Sequence, residues 1–252
     1  MKKIALLYLL INLSSFSQSI KELETTIEMD FDFGIQVQNE WKQREQLLKD
    51  LESEKKSWDN LTAKETKLFE RYDETYMSMW DIEGAGCSWY CGAGDYTVTT
   101  SSELAPNGKI DYKAKNLTDF SYQTAWVEGK NDYGIGEKIE FVFAPNHPRV
   151  TTIKIANGYV KSTKAWKANS RVKKLKLSIN DEVYGIIHLK DTYALQAVKF
   201  KKPIGYADRE DYEKLKTRPK WKISFEILEV YKGEKYKDTV ISEIFFDGID
   251  VH

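Results

Sequence analysis

Between about Gln36 and Trp80, the apolar residues Trp41, Leu48, Leu51, Trp58, Leu61, Leu68, Tyr72 and Met79 are separated by 7, 3, 7, 3, 7, 4 and 7 positions in an otherwise polar stretch. Steps of three, four and seven put side chains on one face of an α-helix, so the segment is predicted helical. Thr62 and Glu65 have the spacing of a capping box, in which each side chain satisfies a backbone N–H of the other. A second helix therefore starts at Thr62, which predicts a hairpin of 36–58 and 62–79. Its apolar stripe is expected to pack on the following domain and its charged face to be solvated.

Beyond the glycine- and cysteine-rich stretch 81–95 the period falls to two. Ile139, Phe141 and Phe143 alternate with Lys138, Glu140 and Val142; Leu175, Leu177 and Ile179 with Lys174, Lys176 and Ser178; Ile223, Phe225 and Ile227 with Lys222, Ser224 and Glu226. Further strands are expected at 96–100, 150–155, 182–189, 195–200 and 240–246. Short strands with one wet face and no helices between them predict a mainly β protein, an antiparallel jelly-roll β-sandwich preceded by the helical hairpin. The expected divisions are 1–19, 20–80 (hairpin), 81–95 (linker) and 96–252 (sandwich).

The first 19 residues differ from both patterns. Lys2 and Lys3 precede the apolar run 4–13, too short to span a bilayer, and a Ser-rich tail follows. This is the layout of an export signal cleaved after Ser17 or Ser19, so the mature chain is expected in the periplasm or secreted, without a transmembrane segment. Cleavage moves the formal charge from −1 to −3, and neither value gives the basic field that nucleic acid requires. In an oxidising compartment Cys87 and Cys91 are expected to form a small disulfide across a glycine-rich turn. Two reduced, buried thiols are the alternative.

The sequence carries no G-x-S-x-G elbow, H-E-x-x-H, Walker loop or G-x-G-x-x-G. The S-x-x-K matches at Ser53 and Ser170 lack companion motifs. What stands out are loops mixing aromatic, amide and charged groups: 124–130, 157–171 and 231–239. Aromatic faces stack on the C–H faces of sugars, while Asn, Asp, Arg and Lys fix hydroxyl orientation. Trp126 is read as a buried sandwich corner ahead of a ligand contact. For Tyr159, Asn169, Arg171 and Tyr236, ligand binding and plain surface explain the pattern equally.

The ordered motifs Ser102-Glu-Leu-Ala-Pro, Asn116-Leu-Thr-Asp119, Thr124-Ala-Trp-Val-Glu-Gly, Gly134-Ile-Gly-Glu, Asn157-Gly-Tyr-x-Lys161, Asn169-x-Arg171-Val-Lys173 and Lys235-Tyr-x-Asp-Thr-x-Ile-Ser-Glu-Ile244 resemble the discoidin or coagulation-factor type C superfamily. This superfamily has a galactose-binding-like sandwich. The version most similar is the translocation-type glycan-binding domain of NAD glycohydrolase toxins. The resemblance, over about 96–244, implies a glycan binder, NAD hydrolysis belonging to a separate domain. On that role the loops singled out above place the expected ligand contacts at Glu128, Asn157, Tyr159, Lys161, Asn169, Arg171, Tyr236 and Asp238. The resemblance also implies a structural calcium ion held by Asp119, Thr124 and Glu243, since calcium takes hard oxygen ligands. Relatives commonly read Asp-Gly-Asp where this chain has Asp119-Phe-Ser, so hydrogen bonding of Asp119 and Glu243 to the loop backbone is the alternative. The expected role is therefore a non-catalytic exported carbohydrate-binding protein. Its alternative is a cell-envelope adaptor that binds a protein through the loops or the hairpin.

Overall fold

The computed structural model describes residues 20–71, 79–80, 89–91 and 96–250. The expected signal segment and Cys87, and with it the Cys87–Cys91 bridge, lie outside the described residues, as does the second half of the expected second helix. Among the described residues no helix is long and apolar enough to cross a membrane.

Every strand expected from the two-residue period is present. They are β3 (Tyr96–Thr100), β5 (Lys138–Phe143), β6 (Arg149–Asn157), β7 (Ser170–Ile179), β8 (Glu182–His188), β9 (Ala194–Ile204), β10 (Trp221–Tyr231) and β11 (Thr239–Ile249). A two-residue strand, β4 (Trp126–Val127), pairs with β11. One layer runs β8–β7–β10–β5–β3 and the other β9–β6–β11. β7 changes neighbour along its length: Ser170 and Arg171 pair in parallel with Thr239 and Val240, whereas Lys174 onward pairs antiparallel with β8. That switch folds one continuous sheet into two layers. Ile139, Phe141, Leu175, Leu177, Ile223 and Phe225 of the first layer meet Ile153, Ile155, Val198, Ile244 and Phe246 of the second in one core, all at most 2% exposed. The alternation of apolar and polar residues is what turns these side chains inward.

The sequence boundary at residue 20 needs correction, because the chain enters the sandwich before it forms helices. β1 (Lys21–Glu24) pairs in parallel with β8, and β2 (Thr26–Asp30) pairs antiparallel with β9. One short segment thus covers the edges of both layers. Thr25, between them and 3% exposed, places its hydroxyl 2.9 Å from the His188 carbonyl and 2.9 Å from Gln196 Oε1. Covered edges matter because an open strand edge is a template for pairing with other chains.

The helices are α1 (Gly34–Glu52) and α2 (Ala63–Arg71). α1 stops six residues before the expected Trp58, because Glu54 takes a left-handed conformation at φ 56° and breaks the hydrogen-bond ladder. The capping box holds: Glu65 Oε2 accepts from the Thr62 N–H at 2.9 Å, and Thr62 Oγ1 accepts from the Glu65 N–H at 3.4 Å. Arg71 and Glu40 join the two helices at 2.6 Å. Trp41, Arg44 and Leu47 give α1 a buried stripe, and Trp41 shares a cavity with Phe31 and Tyr193 against the sandwich.

Candidate functional site

Two features lie at the loops of the sandwich. The first is the corner formed by residues 116–127. Asn116 donates to the carbonyls of Asp111 and Ala125 at 3.0 Å each. Trp126 is fully buried with its indole N–H donated to the Ser102 carbonyl at 2.9 Å. Asp119 accepts from the Thr124 hydroxyl at 2.7 Å and from the Ser121 N–H at 3.2 Å. Beneath them Glu243, fully buried on β11, accepts through Oε1 from the Phe120 N–H at 3.3 Å, while Oε2 has no hydrogen-bond partner among the described residues. Burial pushes the Glu243 carboxyl well above the usual range, and the Asp119 charge adds to this. Desolvation pushes Asp119 up too, opposed by its bond from Thr124. A buried carboxylate oxygen with no donor, beside a second carboxylate, is unfavourable until a proton or a cation neutralises it.

The corner therefore brings together the three residues expected to hold calcium, and its hard-oxygen chemistry fits that ion. Among the described residues there is no group of three or more His, Cys, Asp or Glu side chains placed to hold a metal. Ligands beyond Asp119 and Glu243 would thus be neutral hydroxyl or carbonyl oxygens.

The second feature is a surface at the same end. The Tyr112 hydroxyl titrates high through burial first and then through neighbouring Tyr159, Asp238 and Tyr236, with Lys161 opposing. Tyr112 packs against the buried cluster that holds Tyr159 and Val240, within electrostatic reach of Lys161, Tyr236 and Asp238. Lys161 Nζ lies 4.0 Å over the Tyr159 ring, and Lys235 Nζ 4.8 Å over the Tyr236 ring. Tyr236 is 43% exposed; Tyr112, Lys161 and Asp238 are half-buried. Of the residues expected at the ligand, Tyr159, Lys161, Tyr236 and Asp238 converge here. Tyr112 joins them without having been singled out, although its Asp-Tyr-Lys setting carries the same mix of ring and charge.

Other expected contacts face inward instead. Glu128 is fully buried and its carboxylate accepts the N–H groups of Lys130 at 2.7 Å and Thr239 at 3.2 Å. Burial raises it above the usual range against those two bonds. Asn157, 2% exposed, bonds both backbone groups of Val172, at 2.7 and 2.9 Å. Arg171, 6% exposed, donates to Asp191 at 2.8 and 3.1 Å and to the carbonyls of Asn169 and Trp166 at 2.8 and 3.2 Å. Asn169 closes the short helix α3 (Thr163–Ala168) by donating to the Ala165 carbonyl at 2.9 Å. The physical reason is common to all four. Loops at a sandwich end leave backbone groups unpaired, and buried unpaired groups must find a polar partner.

A family model described as the NAD glycohydrolase translocation F5/8 type C domain matches residues 89–247. The chain belongs to this family. The F5/8 type C match spans β3 to β11 and leaves β1, β2, α1 and α2 outside it. A search of curated proteins finds no match. Similar solved structures include CpGH89CBM32-5 from Clostridium perfringens, in complex with GalNAc-β-1,3-galactose, at 14% identity over 61% of this chain and 95% of that one, TM-score 0.41. The family 32 CBM from C. perfringens NanJ, in complex with galactose, is 15% identical over 60% and 92%, TM-score 0.40. The C-terminal domain of a chitobiase from Bacteroides fragilis is 15% identical over 64% and 98%, TM-score 0.42.

Proposed function

We propose that the chain is a non-catalytic, exported carbohydrate-binding protein whose F5/8 type C sandwich seats a glycan over Tyr112, Tyr159, Lys161, Tyr236 and Asp238. The observation that carries this reading is the grouping of the exposed Tyr236 ring, half-buried Tyr112, one ammonium and one carboxylate around the buried Tyr159 ring, against whose cluster Tyr112 packs. A pyranose presents a C–H face that stacks on such rings and hydroxyls that both donate and accept. Lys161 supplies a donor and Asp238 an acceptor, and their opposite charges suit a neutral sugar over an ionic one. Export is supported by the Lys-flanked apolar run at the N-terminus.

In the same reading the corner holds calcium through Asp119 and Glu243. When bound, the ion supplies positive charge that neutralises both carboxylates. Glu243 anchors the corner to β11, and Thr124 orients Asp119 through its hydroxyl.

The test is a glycan array probed with the purified chain, with and without calcium. Saturable binding to a defined sugar class, abolished in Tyr236→Ala while the melting temperature stays put, is the expected result. A blank array with a folded sample overturns the reading and directs the search to a protein partner.

A further inference from the structure

A cavity adjoins this surface at Lys161, lined on one side by α1 and on the other by residues 161–163 and Tyr193. It encloses about 350 Å³, and its lining includes Trp41, Trp80 and Tyr193 as aromatic walls and Gln38, Thr163 and Lys161 as polar edge. Trp41 is buried, Trp80, Tyr193 and Gln38 are half-buried, and Thr163 is exposed. That volume lies at the low end of the range for ligand cavities, the size of a single ring rather than an extended apolar chain. Its charges balance: Asp32 and Glu45 face the same space as Lys42 and Lys161, which disfavours an ionic occupant.

Position decides what the cavity is for. Lys161 lines it and also stands 4.0 Å over the Tyr159 ring of the neighbouring surface. Tyr193 donates its hydroxyl to the Val160 carbonyl at 2.5 Å, which ties the cavity wall to the backbone one residue before Lys161. Gln38 and Trp41 come from α1, outside the residues that match the family. The helical segment thus builds a wall that the F5/8 type C sandwich alone does not have.

We infer that this cavity is a second sugar subsite, contiguous at Lys161 with the Tyr112–Tyr159–Tyr236 surface, so that the protein recognises a neutral oligosaccharide of at least two rings. The inference rests on the glycan-binding reading above. Its test uses the full chain, Tyr236→Ala and a Gln38→Ala, Thr163→Ala double variant. Each is titrated on one array of galactose-, glucose-, mannose- and N-acetylglucosamine-based mono-, di- and tetrasaccharides. Gln38 lies on a helix and Thr163 is exposed, so alanine at these positions does not threaten folding.

The expected result is that tetrasaccharides bind the full chain about tenfold more tightly than the monosaccharide, equivalent to about 1.4 kcal/mol. The double variant loses that preference and keeps monosaccharide binding, whereas Tyr236→Ala loses both. Equal affinity for short and long sugars, or a length preference that survives in the double variant, overturns the second subsite and leaves the first reading standing. A blank array overturns both.

Discussion

Arg171→Ala removes a guanidinium that the fold itself uses. It donates to Asp191 at 2.8 and 3.1 Å, to the carbonyls of Asn169 and Trp166 at 2.8 and 3.2 Å, and lies 4.4 Å over the Trp166 ring. The Asp191 side chain is 39% exposed and rehydrates when its partner is lost, so that pair contributes at most about 1 kcal/mol. The Trp166 carbonyl is buried, and losing a charged donor there costs about 1.5–3 kcal/mol. With about 0.5–1 kcal/mol for the lost cation–π contact, the sum is roughly 3 kcal/mol, a fall in melting temperature of about 6–12 °C for a chain of this size. Lysine keeps the charge without the fork, so Arg171→Lys should recover less than half the loss. The assay is thermal unfolding by circular dichroism, paired with sugar binding at a temperature where every variant is folded. The reasoning predicts a lowered melting temperature and intact binding. An unchanged melting temperature together with lost binding would refute it and place the guanidinium at the ligand.

Gly158→Ala should destabilise the packing around Arg171 and Trp166 by about 2–3 kcal/mol, read from urea unfolding. Gly158 sits at φ +96°, and a Cβ there would meet Trp166 at 2.6 Å and Arg171 at 2.8 Å. Glu243→Gln tests the buried carboxylate. Because the folded Glu243 pKa is raised, the folded state holds this proton more tightly than the unfolded chain, so its contribution is full below the ordinary carboxylate value, about 4.3, and is lost as pH rises. The metal-free parent should therefore lose stability relative to the variant from about pH 4 upward. Calcium at pH 7 should raise the parent's melting temperature and leave the variant's alone; equal responses would remove Glu243 from the ion. A chain beginning at residue 31 uncovers the edges of β8 and β9 and should associate at micromolar concentration, visible by size-exclusion chromatography; a clean monomer would count against the edge argument.

The strands were legible because burial on one face leaves a two-residue signature, as at Ile139, Phe141 and Phe143. Residues 21–30 carry the same signature, with Leu23, Ile27 and Met29 between acidic or hydroxyl neighbours, yet they adjoin a stronger helical pattern that absorbs them. The N-terminal strands also break their own rhythm: the register shifts between Ile27 and Met29, leaving Ile27 42% exposed. Within the candidate site, Tyr159, Lys161, Tyr236 and Asp238 were legible by residue type alone. Glu128, Asn157 and Arg171 show the limit of that approach. A polar residue in a loop looks the same whether it reaches out to a ligand or in to an unpaired N–H, and only the path of the backbone decides.

The contacts of Thr25 with His188 and Gln196 bridge 163 and 171 positions of sequence. A ribosome makes residues 21–30 long before the strands they will cover exist. Until β8 and β9 have formed, Leu23 and Met29 have no surface to bury against, and the entropy of closing so long a loop is met only by a partner already in place. Residues 21–30 thus dock only once β8 and β9 are in place.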